Sequence, residues 1–146
     1  AYLYRLLSYV DWPPAVLEGG GPFGIGVVQA DDILEELQRV LPGRTVHGRP
    51  VLARRLAEGD ALDGRHVVLV GGSSRRAASW MRVLRDRRML LTVTDAAGGL
   101  ATGSILNFVE TDGKVRFEAS LVAAEKAELK LSSRLLAVAV RVETKE

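Results

Sequence analysis

The chain contains no cysteine. Disulfides, thiol nucleophiles and Cys-ligated zinc are excluded, stability is expected to be indifferent to reductant, and the redox compartment stays open. Histidine is nearly absent: His47 and His66 stand alone, without HxxxH spacing or a cluster around them, so each reads as structural and no metal is expected. No apolar run approaches the about 18 residues that a spanning helix needs, the longest being stretches such as HVVLV and LLAVAV. Lysine is scarce, 4 residues against 16 arginines, and none lies between residues 1 and 113. The chain starts at Ala1 and carries no signal-like segment, which is compatible with a leader removed before this numbering begins.

What is present is an ordinary globular composition, 47% apolar and 26% charged over 146 residues, so one domain spanning 1–146 is expected. The net charge of +2 names no partner. Six arginines (75, 76, 82, 85, 87 and 88) crowd one stretch with Asp86 as the lone acid; they read as a solvated helix face, and nucleic acid is not expected as a partner.

In AYLYRLLSYV the residues Leu3, Leu6, Leu7 and Val10 recur at helical spacing and predict a core-facing helix. Pro13 disfavours helical backbone at Trp12, so the helix is expected to stop there with the Trp12 ring buried under the departing chain. After the EGGGP loop, FGIGVV reads as a strand buried on both faces. A helix follows, with Asp32 placed as its cap and Ile33, Leu34, Leu37, Val40 and Leu41 as its inner stripe. RTVHGRPVLARRL reads as a strand pair or a bent strand, interrupted at Gly48 to Pro50. HVVLV and MLLTV are further buried strands, separated by GGSS and a helix that gathers Ala77, Trp80, Met81 and Leu84. Strand–helix alternation to residue 95 predicts an α/β fold, a mostly parallel sheet with helices on both faces.

Asp112-Gly113 then marks a two-residue hairpin turn. Closing the hairpin there pairs Phe108 with Phe117, Leu106 with Ala119 and Glu110 with Val115 on one face, and Asn107 with Glu118, Val109 with Arg116 and Thr111 with Lys114 on the other. This C-terminal antiparallel hairpin is expected to precede short helices capped by Ser120 and by Ser132 or Ser133; the final VAVRV fits a strand as well as a helix. The polar face, with Asn107, Arg116 and Glu118 converging, is the expected partner-binding surface.

Catalytic chemistry finds no local support. GIG lacks the third glycine of a dinucleotide loop, and GGSS has no following lysine. Asp31 and Asp32 resemble the acid pair of a receiver domain, but HVVLV ends in Gly71-Gly72 where the phosphate-accepting acid would stand, and that reading is rejected. Ser73 and Ser104 lack a GxSxG setting. Asp95 is the best lone candidate at a strand end, and a loop-ordering role before Gly98-Gly99 explains it better. No enzyme, catalytic residue or cofactor is expected.

The opening helix running into YVDWP, then GRTVHGRPV, LLTVTD and GSILNFVETDGKVRFEASLVAAEKAELKLSSRLLAVA, resembles the successive motifs of the YfiR-like family of periplasmic regulatory domains over nearly the whole chain. The long last stretch is the most specific. The resemblance implies a non-enzymatic periplasmic repressor that binds the periplasmic region of an inner-membrane diguanylate cyclase and is itself sequestered by an OmpA-like outer-membrane lipoprotein, so setting cyclic di-GMP output. It leaves room for a homodimer and, as the alternative, for small-molecule sensing within a signalling system. Redox control, implied for Cys-containing members, is out of reach here. Trp12, Pro13, Asp112 and Gly113 carry structural roles in this reading.

Overall fold

A computed structural model describes residues 2–144. The N-terminal stripe forms α1 (Tyr2–Leu7), which buries Leu3, Leu6 and Leu7. The helix stops well before Trp12: Val10 is buried as expected, but in a two-residue strand β1 (Val10–Asp11). Extended backbone ahead of Pro13 makes these residues free to pair, and they do so with β9 (Lys130–Leu131). Pro13 is the extended N-cap of α2 (Pro14–Leu17), with Pro14 at its first position, where a missing N–H costs nothing.

The eight-stranded sheet is built from β2 (Phe23–Val28), β3 (Thr45–Val46), β4 (Arg49–Arg55), β5 (Arg65–Val70), β6 (Leu91–Thr94), β7 (Leu106–Thr111), β8 (Lys114–Ser120) and β10 (Arg141–Glu143), in the order β10-β8-β7-β6-β5-β2-β4-β3. It is mixed rather than mostly parallel. The β7–β8 and β3–β4 pairs are antiparallel, since a two-residue turn joins antiparallel strands alone. Both turns take positive φ at both centres: 51° and 77° at His47-Gly48, 52° and 75° at Asp112-Gly113. The β7–β8 register is the one the sequence gives when closed at Asp112-Gly113, from Leu106–Ala119 to Thr111–Lys114. The hairpin is not the edge of the sheet, because β10 pairs parallel to β8 outside it.

Helices cover both faces unequally. Val67 and Leu69 of β5 enter one apolar cluster with α1, α2, α3 (Asp31–Val40), α5 (Leu121–Lys126) and α6 (Ser133–Val138). Val68 and Val70 enter the other, under Ala77, Met81 and Leu84 of α4 (Arg75–Leu84). Period-two alternation within HVVLV thus divides the strand between two cores. Asp32 does not cap α3: Ala30 holds that position without a side-chain bond, both acids lie in the first turn, and Asp31 pairs with Arg55 at 3.0 Å. Ser120 and Ser132 do cap α5 and α6, accepting from Ala123 and Leu135 N–H. The final stretch divides into helix to Val138 and strand from Arg141.

Candidate functional site

Asn107 is fully buried, at 0% exposure, so it does not present to a partner as expected. The reason is the neighbouring strand. β6 pairs with β7, and the loop after Thr94 folds back over Asn107, whose amide is satisfied on every side. Its Oδ1 accepts from Thr94 Oγ1 at 2.8 Å and from Ala96 N–H at 3.1 Å. Its Nδ2 donates to Ala96 O and to Glu118 Oε1, both at 2.9 Å. Thr94 also shares a 2.8 Å bond with Ser104, which makes this a buried polar network.

The surface begins one residue further out. Glu118, with 15% of its side chain exposed, accepts from Asn107 on one oxygen and from Arg141 Nη1 on the other at 3.2 Å. Arg141 reaches on to Glu143 at 2.7 Å. Arg116, two residues before Glu118 and on the same face, is exposed, and among the described residues no ion pair holds it. The sheet therefore presents a fixed carboxylate–guanidinium row beside one uncommitted guanidinium. On the opposite face of the same hairpin, Val115 is 54% exposed and borders a groove of about 310 Å³ floored by Leu3, Leu37 and Phe108.

Trp12 lies at the other end of the sheet. It is buried and meets Phe23 edge-on at 5.1 Å, and Phe23 stacks on His66 at 4.5 Å. Among the described residues, the indole N–H has no hydrogen-bond partner. His66 Nδ1 accepts from Gly24 N–H at 3.1 Å, a bond that the neutral ring makes. Burial, and then the Arg49 guanidinium, hold its pKa below the ordinary value. Arg49 donates to four carbonyls: Val16 of α2 at 2.8 Å, and Gly21, Gly20 and Pro22 of the loop at 2.9, 3.0 and 3.4 Å. That clasp orders the EGGGP loop, and an arginine flanked by Gly48 and Pro50 gave no sign of it.

GGSS forms a helix start, with Ser74 accepting from Ala77 N–H at 3.2 Å. Asp95 receives Gly72 N–H at 2.8 Å and so ties the loops after β5 and β6. Among the described residues, no three His, Asp or Glu side chains gather to hold a metal ion.

The fold is a mixed α/β domain that carries a charged hairpin face. A family model described as DUF4154, YfiR/HmsC-like, matches residues 1–140, and the chain belongs to the YfiR/HmsC-like family. The family consists of periplasmic regulators of cyclic di-GMP signalling, regulatory rather than catalytic. Among the described residues, no helix is long and apolar enough to cross a membrane. No curated protein matches the chain.

Proposed function

We propose that the protein represses a membrane-bound diguanylate cyclase by binding its periplasmic region, and that an OmpA-like outer-membrane lipoprotein competes for it and relieves the repression. Family membership supports a regulator of this pathway. The observation that carries a contact surface on the hairpin is the preformed row of Glu118 and Arg141 with Arg116 left uncommitted beside it. Glu118 is already oriented by Asn107, so an incoming partner meets charges that need little reordering.

The test is co-purification with membrane-bound diguanylate cyclases and OmpA-like lipoproteins of the same cell, with cyclic di-GMP measured in cells lacking the protein. Deletion is expected to raise the nucleotide, and unchanged levels defeat the repressor reading. Arg116→Glu is expected to leave the fold intact and cost about 2 kcal/mol or more of affinity, the scale of truncating a desolvated charge. Capture that survives the reversal removes Arg116 from the contact surface and leaves repression standing.

A further inference from the structure

A second region of the molecule has the chemistry of a ligand site and plays no part in the hairpin surface. β2 lies between β5 and β4, and two of its residues are glycines: Gly24 stands beside Arg65, and Gly26 beside Arg54. Both glycines lie against close neighbours, and Gly24 meets backbone. A Cβ at Gly24 would run into the Gly64 carbonyl, and one at Gly26 into Leu56. Gly24, Arg54 and Arg65 line a cleft of about 490 Å³ that continues to the Arg49-clasped loop.

The charges in this cleft are unbalanced. Arg49, Arg54 and Arg65 all line it, and no Asp or Glu does. Arg49 is committed to the loop carbonyls. Arg54 and Arg65 make no ion pair among the described residues, and the Arg65 Nε–H is buried without an acceptor. A buried donor on a charged group that lacks a partner is costly, and an oxyanion is the acceptor that matches a guanidinium fork. Leu52, Met89 and Val16 supply apolar wall next to it.

We propose that this cleft binds a small organic oxyanion, a carboxylate or phosphate monoester with an apolar body, held by Arg54 and Arg65. The inference goes beyond repression through the hairpin and does not depend on it. His66, kept neutral at the cleft's edge, adds apolar ring surface rather than a further charge.

Calorimetric titration with 3-phenylpropionate, phenyl phosphate and neutral 3-phenylpropan-1-ol tests it, and the two anions distinguish the carboxylate from the phosphate source. One anion or both should bind saturably with a Kd of about 1 mM or tighter, while the alcohol should not. Arg54→Gln and Arg65→Gln should each weaken binding by about tenfold or more, as loss of a charge-assisted fork does. Arg116→Glu should bind as the unaltered chain does, which separates this site from the hairpin. Should either cleft variant fail to fold, the Arg65 Nε–H resonance of the unaltered protein must still move when the anion is added. Absence of binding by both anions, binding of the alcohol with equal strength, affinity unchanged in both folded variants, or a stationary Arg65 resonance each overturns the proposal.

Discussion

Asn107 and Glu118 face each other across the β7–β8 hairpin, with the buried amide donating to the half-buried carboxylate at 2.9 Å. One pair thus joins the interior network to the charged surface. Asn107→Ala takes one of two side-chain partners from the Thr94 hydroxyl and removes the side-chain partner of both Ala96 backbone groups, and a loss of about 3 kcal/mol is expected in urea unfolding. A loss under about 1 kcal/mol would mean that water takes over the site.

Trp12→Ala should cost about 3 to 5 kcal/mol, because a buried ring packed on Phe23 is replaced by a void. Trp12→Phe should cost less than about 2 kcal/mol, since it keeps most of the apolar contact and removes an N–H that has no acceptor. Equal losses for the two variants would show that the N–H matters.

Arg49→Lys keeps the charge and loses the fork that spans the Val16, Gly20 and Gly21 carbonyls. A destabilisation of about 1 to 3 kcal/mol is expected, together with faster amide exchange across residues 18–22. Unchanged exchange in that loop would place its order elsewhere.

His66 gives stability a pH dependence of known sign. Its folded pKa lies below the ordinary 6.5, through burial first and the Arg49 charge second. Between the two values the unfolded chain holds more protons than the folded one, so stability rises with pH across that window and is complete above about 6.5. Acidification from neutral pH should lower the melting temperature, and His66→Phe should flatten that trend. An NMR titration that places the ring at or above 6.5 would contradict the mechanism.

The hairpin register was legible because Asp112-Gly113 admits one kind of turn, and the turn then fixes every pair. The burial of Asn107 was not. Alternation puts Asn107 on the face of Arg116 and Glu118, but a lid formed by the loop after β6 covers only the Asn107 end, and no local pattern encodes a loop's path. Parallel pairing through the centre followed from the strand–helix alternation, whereas the antiparallel turn at His47-Gly48 put a non-glycine residue at positive φ, which the sequence reading left undecided between a pair and a bend. The Arg54–Arg65 cleft has no local signature either, because its lining is gathered from α2, β2, β4, β5 and the loops around them.

The β1–β9 ladder joins Val10 to Leu131, from nearly opposite ends of the sequence, and Ser132 N–H adds a bond to Tyr9 O at 3.0 Å. Closing so long a loop costs on the order of 4 kcal/mol of chain entropy before any contact repays it. The opening segment therefore docks late in folding, after the central strands have assembled around their shorter connections. Until the α5–β9 region has been synthesised and has arrived, Val10 lacks its strand partner and the stripe of Leu3, Leu6 and Leu7 is only partly sheltered. The arrival of residues 130 and 131 thus turns an adhesive segment into a covered one, and a chain halted before that point is the form most prone to stick.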